Sequence, residues 1–289
     1  MNLGIDIGNY NVKTSEDVIF KSAISEKIEF GNKFDKIEID NKVYYVGTGK
    51  LEVDYRKFDK DNYIPLLLAA ICKSSNSVEN RIGLGLPIKQ YYTFKDDLVN
   101  KLLNRSYDVT FNDTRRRIRI TDVQVFPESA AGIINHYNDT LFNVKHKDIV
   151  SVDIGGKTTD IALIKNKKVI QSSQINVGTI DIYNCIKSSL EAKYFDIKIS
   201  LDNISDFLEN GFYYKGERQN LNFAIKGCND LFKEIYTELN LNYPVNTSAV
   251  VFQGGGSELL YSVLNKKICN IIKIEDLFAN AKGYKKLLK

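Results

Sequence analysis

One stretch near the middle of the chain constrains the fold most. Residues 149–164, IVSVDIGGKTTDIALI, begin with an apolar, β-branched run that is typical of a buried strand. Asp153 stands where this strand should end, and two glycines follow, which let the backbone turn tightly. Ile161–Ile164 then predicts a returning strand. We interpret this unit as a phosphate cradle, in which the N–H groups of the turn face anionic oxygens and the carboxylate holds a hydrated metal ion.

The N-terminus carries the same unit. Residues 2–13, NLGIDIGNYNVK, again comprise a short strand, an acid, a glycine turn and a resumed strand. Asp-Ile-Gly occurs at 6–8 and at 153–155. A single glycine-rich hairpin is common, but two copies with one spacing, each after an apolar strand, indicate a duplication. The sequence therefore predicts two half-domains, each with one phosphate hairpin.

Length and charge narrow the class of protein. The 289 residues suit two domains or one bilobed unit. With 40 basic and 36 acidic residues the net charge is +4, which argues against direct nucleic-acid binding. We interpret the basic run Arg115–Arg117 as the solvated face of a hairpin. The four cysteines follow no metal-ligand spacing, and no apolar run approaches the ~20 residues of a membrane helix, so we expect a cytoplasmic protein with reduced thiols.

Between the two hairpins the pattern predicts a β-rich insertion over about 24–62. We expect a strand at 24–28, an end to the β structure at Gly47–Gly49 and an exposed charged loop at 54–62. Helices are predicted at 63–73 and 90–103, and a strand at 81–87. A strand ending at Phe126 is followed by Glu128, where small residues predict the start of a helix close to the sheet.

After the central hairpin we predict a helix at 180–193, an irregular polar segment at 197–217 and one long helix at 221–239. A buried strand at 249–252 runs directly into three glycines and a helix, which favours a third close approach of the backbone to a ligand. A final helix is predicted at 277–288.

Five motifs in this order resemble those of the actin/DnaK/sugar-kinase superfamily. They are Asp6-x-Gly8-x-x-x-x-Lys13, Glu128-Ser-Ala-Ala-Gly132, Asp153-x-Gly155-Gly156-x-Thr158-Thr159-Asp160, Phe252-Gln-Gly254-Gly255-Gly256-Ser257 and Ala279-Asn-Ala-Lys-Gly283-Tyr284. Within the superfamily the chain most resembles the ParM-like bacterial actins of plasmid segregation. Gly85-Leu-Pro87, Tyr45-Val-Gly47 and the Ala-Asn-x-x-Gly-Tyr ending are similar to that group.

The resemblance implies an α/β, actin-like, duplicated ribonuclease-H-type fold with two lobes around a nucleotide cleft. The expected N-terminal lobe is 1–148, with the β-rich insertion at about 24–62. The expected C-terminal lobe is 149–289, with a reduced insertion at about 185–220. Helix 277–288 is expected to pack back on the first lobe.

The resemblance also implies a site for ATP or GTP with Mg²⁺. Glu128 would orient or deprotonate the attacking water, with Asp153 as a second catalytic candidate. Asp6 and Asp153 would hold the metal ion largely through water, and Asp160 would close its hairpin. The residues implied in nucleotide binding are Gly8, Asn9, Tyr10, Asn11, Lys13, Gly155, Gly156, Lys157, Thr158, Gly254, Gly255, Gly256 and Ser257.

The implied function is an ATPase, dependent on Mg²⁺, that polymerises into filaments and segregates plasmid DNA. Its implied partners are further copies of itself and a DNA-binding adaptor protein, with neither a membrane nor direct nucleic-acid contact. Two alternatives stay open: a monomeric small-molecule kinase of the same superfamily, and a nucleotide-binding adaptor that forms no filament.

Overall fold

The structure is a computed structural model that describes residues 1–27, 34–52, 56–145 and 147–289. Among these residues the first lobe is built on a mixed sheet with three helices and two 3-10 turns. Its strands are β1 (Asn2–Ile7), β2 (Asn11–Thr14), β3 (Ile19–Lys21), β4 (Ala23–Ser25), β5 (Lys36–Ile39), β6 (Lys42–Leu51), β7 (Glu79–Leu86), β8 (Ser106–Phe111) and β9 (Thr114–Pro127). Its helices are α1 (Tyr63–Ser74), α2 (Ile88–Leu102) and α3 (Ala130–His136), and the 3-10 turns are Lys57–Asp59 and Phe142–Val144.

The second lobe has a smaller sheet, a two-stranded hairpin and six helices among the described residues. The strands are β10 (Ile149–Ile154), β11 (Thr159–Lys165), β12 (Lys168–Ile175), β13 (Phe212–Tyr214), β14 (Glu217–Gln219), β15 (Ala249–Gln253) and β16 (Ile271–Lys273). The helices are α4 (Thr179–Lys193), α5 (Asp202–Asn210), α6 (Asn222–Gly227), α7 (Asn229–Asn242), α8 (Ser257–Leu264) and α9 (Ala279–Leu287).

The two sheets share one topology, which confirms the duplication. In the described part of the chain the first sheet has the order β3-β2-β1-β7-β9-β8-β5-β6-β4, and the second has the order β12-β11-β10-β15-β16. In both, the first three strands are antiparallel neighbours and the next two pairings are parallel. The first lobe differs by its extra strands β8, β5, β6 and β4, of which β4, β5 and β6 belong to the region predicted as a β-rich insertion.

Burial explains why these segments form the central elements. β10 is buried at all six positions, as a strand covered by helices on both faces should be. Residues 66–71 of α1 have no exposed surface, so this helix is the centre of the first core. Each lobe has its own large cluster of buried apolar side chains.

The last helix, α9, packs on the first lobe although it follows the second in sequence. It contacts α3, β1 and β7. A Cβ atom on Gly4 would lie 1.8 Å from the carbonyl oxygen of Ala281, so β1 and α9 approach as closely as backbones can. Tyr284 is fully buried and stacks on Phe126 with ring centroids 6.0 Å apart.

Some local predictions are wrong for identifiable reasons. The segment 197–217 is not irregular, because it contains α5 and the β13–β14 hairpin. The helix predicted at 221–239 is two helices, since Gly227 disfavours helix and Cys228 has φ −89° and ψ 11°. The β structure does not end at Gly47–Gly49 as predicted. Strand β6 continues through both glycines, which have φ of +82° and +89°, and ends at Leu51.

The charged segment at 54–62 is also not an exposed loop. Lys57, Phe58, Lys60 and Asn62 are all buried. The start of this segment and the end of the strand expected at 24–28 lie outside the described residues. Among the helices that the structure describes, none combines the length and the apolar character needed to cross a bilayer.

Candidate functional site

The two lobes enclose a cavity of about 260 Å³. It lies at the carboxyl ends of parallel strands from both sheets, the edge at which open α/β sheets usually bind ligands. Asp6 of β1 and Glu128, which follows β9, line it from the first lobe. Asp153 of β10 and Gln253 of β15 line it from the second lobe.

The turns of the two duplicated hairpins meet at this cavity. A Cβ atom on Gly156 would lie 2.9 Å from the backbone nitrogen of Tyr10, so only glycine permits this approach. In the first turn the N–H of Gly8 donates to the carbonyl of Asn11 at 3.0 Å, and in the second Gly155 donates to Thr158 at 2.9 Å. The turns therefore have matching geometry, and consecutive backbone N–H groups in such turns are suited to bind phosphate.

Four carboxyl groups line the inner end of the cavity. Glu128, Asp153 and Asp160 are buried, and Asp6 is half-buried. Burial, and then the neighbouring Asp153 carboxylate, raises the pKa of Asp160 to about 7. Burial also raises the pKa of Asp153, in opposition to a hydrogen bond from Asn280. Burial and like charge thus disfavour ionisation of these carboxyl groups, and a bound cation would favour it.

One ion pair stands within this acidic group. The ammonium of Lys57 donates to Oε1 of Glu128 at 2.5 Å, and the two side chains are only 8% and 9% exposed. Burial raises the pKa of Glu128, which the ammonium opposes and Asp6 reinforces. Burial lowers the pKa of Lys57, but Glu128 and Asp6 outweigh this and raise it. Burial is thus the main reason that the pKa of Glu128 rises, whereas the neighbouring carboxylates are the reason that the pKa of Lys57 rises.

The backbone next to Glu128 is strained. Ser129 has φ +67°, an uncommon value for a residue with a side chain, and α3 therefore begins at Ala130 and not at Glu128. The carbonyl of Ser129 accepts hydrogen bonds from Ser151 at 2.9 Å and from the amide of Gln253 at 2.7 Å. Such strain costs about 1–3 kcal/mol and is found most often at functional sites. The second lobe thus fixes the backbone that carries Glu128.

Asn280 of α9 joins the two lobes at Asp153. Its amide donates to Oδ2 of Asp153 at 2.7 Å, and its side-chain oxygen accepts from the N–H of Gly132 at 3.2 Å. One side chain therefore holds a carboxylate of the second lobe against the first turns of α3.

Further contacts between the lobes involve Tyr10, which lines the cavity. Tyr10 donates from its hydroxyl to Asp202 of α5 at 3.2 Å, and Lys21 pairs with the same carboxylate at 2.7 Å. The rings of Tyr10 and Tyr183 make an edge contact with centroids 6.2 Å apart. Ser205 and Glu209 of α5 also line the cavity.

The structure brings together most of the residues that the sequence singled out. The predicted residues that line the cavity are Asp6, Gly8, Asn9, Tyr10, Asn11, Lys13, Glu128, Asp153, Gly155, Gly156, Thr158, Gly254 and Gly255. Lys157, Gly256 and Ser257 do not line it. The ammonium of Lys157 instead pairs with Asp181 at 2.8 Å.

Other lining residues were missed by the sequence reasoning. Asn280 belongs to the Ala-Asn-x-x-Gly-Tyr motif, which marked the helix but not this side chain. Lys57 lies in a charged segment with no local signal. The remaining missed residues are Thr179, Tyr183, Ser205, Glu209, Gln253, Asp276, Leu277 and Ala279.

The carboxylates fit a hydrated magnesium ion better than a dehydrated metal ion. Within the described ranges no three histidine, cysteine or acidic side chains converge as a metal-ligand group. Mg²⁺ retains several waters and is commonly held by one or two carboxylates together with substrate phosphates. Asp6 and Asp153, from equivalent strands of the two lobes, offer a donor set of this kind.

Comparison with known proteins agrees with this architecture. Residues 4–130 match the family described as actin like proteins N terminal domain, and residues 151–266 match the archaeal actin homologue MreB-like C-terminal family. No curated protein matches the sequence.

Solved structures of actin homologues share the fold across the whole chain. The archaeal actin homologue Ta0583 in complex with ADP has a TM-score of 0.84 at 21% identity, with 99% of this chain and 98% of that chain covered. A ParM from Clostridium botulinum, in a 15-stranded filament, has a TM-score of 0.78 at 23% identity, with 99% and 97% covered. The Alp12 filament structure has a TM-score of 0.70 at 20% identity, with 99% and 97% covered.

Proposed function

We propose that this chain is a nucleotide-dependent ATPase that assembles into filaments, because its two halves match actin-like family models and the whole chain has the fold of solved actin homologues. The observation that carries this proposal is the pair of equivalent hairpin turns, one from each lobe, that meet over a shared cavity lined by carboxylates and lysines. A ligand that touches both turns binds the two lobes in one arrangement. Its terminal phosphate can therefore set the shape of the whole molecule.

In this proposal the phosphates of the nucleotide lie between the two turns. The backbone N–H groups of 8–11 and 155–158 bind the phosphate oxygens, and Lys13 adds a positive charge beside them. Asp6 and Asp153 hold Mg²⁺ largely through its waters. Gly254 and Gly255 leave room for the nucleoside at the end of β15.

Hydrolysis is assigned to Glu128, with Asp153 as the second candidate. Glu128 lies in the cavity with its backbone fixed by strain at Ser129 and by bonds from the other lobe. A carboxylate held in this way can orient the water that attacks the terminal phosphate and accept its proton.

Filament assembly and plasmid segregation are proposed by analogy. Two structural neighbours are filaments, one of them a ParM, and another neighbour is an ADP complex. We propose self-association as the output of the nucleotide cycle and a separate DNA-binding adaptor as the link to plasmid DNA. The small net charge of +4 supports an adaptor in preference to direct DNA binding.

Titration with fluorescent analogues of ATP and GTP, with and without Mg²⁺, tests whether the cavity binds nucleotide. We expect saturable binding that requires Mg²⁺ and is weakened about tenfold or more in Lys13→Met, because a charge-assisted contact to phosphate is lost. The ratio of the two affinities gives the base preference. Absence of saturable binding by the folded wild-type protein would contradict the proposal.

A further inference from the structure

Lys57 has fewer hydrogen-bond partners than a buried ammonium requires. Its side chain is 8% exposed and lines the cavity. Glu128 is its one hydrogen-bond acceptor in the part of the chain that the structure describes. An ammonium has three donors, and buried donors without acceptors are costly. Lys57 therefore has donors available for an anion in the cavity.

The segment that carries Lys57 is anchored on both sides of it. The carbonyl of Phe58 accepts a hydrogen bond from Lys101, and the Phe58 ring is buried against Phe94. Lys60 donates to the side chain of Asn9, in the first phosphate turn, at 2.5 Å. The backbone at 57–60 is thus fixed beside the cavity, and only the flexible end of Lys57 is left to change partners.

The balance of charge in the cavity indicates which group Lys57 would bind when a polyphosphate enters. The inner cavity has carboxyl groups of Asp6, Glu128, Asp153 and Asp160 against the ammonium of Lys57 and that of Lys13. A terminal phosphate carries more negative charge than a carboxylate and three acceptor oxygens. It competes with Glu128 for Lys57, whereas a diphosphate, one phosphate shorter, competes less.

We propose that Lys57 pairs with Glu128 in the nucleotide-free protein and transfers to the terminal phosphate when a nucleoside triphosphate binds, which frees Glu128 to hold the attacking water. This inference rests on the proposed function and adds a switch to it. In the hydrolytic step the water oxygen forms a bond to the terminal phosphorus and the bond to the bridging oxygen breaks. The electron pair leaves with the diphosphate, and Glu128 accepts the proton of the water. Glu128 is thus available for hydrolysis only when a terminal phosphate is present.

The test compares affinities for a non-hydrolysable ATP analogue and for ADP, each with Mg²⁺. In Lys57→Met the ratio of analogue affinity to ADP affinity should fall about tenfold to a hundredfold, because a charged contact to the terminal phosphate is lost. Lys57→Arg should restore most of the ratio. Lys73→Met, which removes a first-lobe ion pair with Asp35 outside the cavity, should leave the ratio at its wild-type value.

Substitution of Glu128, the partner of Lys57, should have the opposite effect on the affinity for the analogue. Glu128→Gln should bind the analogue several-fold more tightly than wild type, because Lys57 no longer has to leave a carboxylate. If Lys57→Met unfolds because a carboxylate is left unpaired, the double variant Lys57→Met/Glu128→Gln removes that charge and should show the same fall in the ratio. Thermal melts establish that each variant is folded before titration.

Two results separate failure of this inference from failure of the proposed function. If Lys57→Met weakens both ligands equally, or neither, Lys57 has a structural role and the inference is wrong. If the folded wild-type protein binds neither ligand, the proposed nucleotide site is wrong, and the inference is wrong with it.

Discussion

At the scale of single residues, the duplicated hairpins differ in the residue that is paired with the first acid. Asp6 stands opposite Lys13 in the first hairpin, whereas Asp153 stands opposite Asp160 in the second. The first acid has a positive neighbour across the strand pair, and the second has another acid. This difference concentrates negative charge in the second lobe, where like charges disfavour ionisation.

The pKa of about 7 for Asp160 predicts a pH effect on stability. The folded protein holds this proton more tightly than the unfolded chain, whose aspartates titrate near 3.9. Stability from this group is therefore complete below about pH 4 and is lost as the pH rises towards 7. Asp160→Asn should raise the free energy of unfolding of the nucleotide-free protein at pH 8 by on the order of 1–3 kcal/mol, and by less at pH 5.

Denaturant unfolding at both pH values measures this effect. The amide can keep the hydrogen bonds that Asp160 makes with Thr158 and Gln174. Asp139→Asn, at an exposed aspartate after α3, is the control and should change neither value. An equal or smaller gain at pH 8 than at pH 5 would show that Asp160 is not held protonated.

A second residue-scale prediction concerns turnover. Glu128→Gln should bind Mg²⁺ and ATP yet release phosphate about 10²–10⁴-fold more slowly, which is the usual contribution of a general base. Single-turnover phosphate release from the preformed complex separates this from a binding defect. Near wild-type release would transfer the catalytic role to Asp153.

At the scale of elements, the docking of α9 depends on backbone contact. No side chain fits between Gly4 of β1 and the carbonyl of Ala281. Gly4→Ala should push α9 away from the first lobe and lower the free energy of unfolding by roughly 1–3 kcal/mol. Chemical denaturation is the measurement, and Gly255→Ala, where an added Cβ meets no atom within 4 Å, is the control. Equal stability of the two variants would contradict the close contact.

Elements that depend on residues close together in the chain could be predicted from the sequence. Elements that depend on contacts between residues far apart in the chain could not. The paired hairpins were visible because strand, acid and glycine are neighbours in the chain. The segment at 57–60 contains three charged residues, so it looked exposed. It is buried because Lys57 and Lys60 find partners at Glu128 and Asn9, which are 71 and 51 residues away. The hydrophobic pattern of the segment itself gives no indication of those partners.

At the scale of the whole molecule, the contacts between the two lobes are the feature that the sequence did not indicate. Asp202 of α5 meets Tyr10 and Lys21 across 192 and 181 residues of sequence, which no motif could indicate. This bridge includes Tyr10, which lines the cavity, and it is partly exposed, with 28% and 54% of the Lys21 and Asp202 side chains accessible. Exposed ion pairs contribute about 0–1 kcal/mol.

Loss of this bridge should therefore have a small effect on nucleotide exchange. Asp202→Asn should speed the release of a fluorescent nucleotide by about twofold to fivefold at low salt and by less at high salt. Stopped-flow displacement gives the rate, and Asp206→Asn, whose carboxylate accepts from Asn210 of the same helix, is the control. A rate unchanged at low salt would mean that the bridge does not hold the cavity closed.

We infer that nucleotide in the shared cavity drives assembly. Light scattering and phosphate release, recorded together after Mg²⁺ and ATP are added to the purified protein, test this inference. We expect a rise in scattering that requires nucleotide and follows a lag, with phosphate release after it. Phosphate release without scattering would contradict the filament and favour a monomeric ATPase or kinase. Neither signal would contradict the assignment of the cavity as a working nucleotide site.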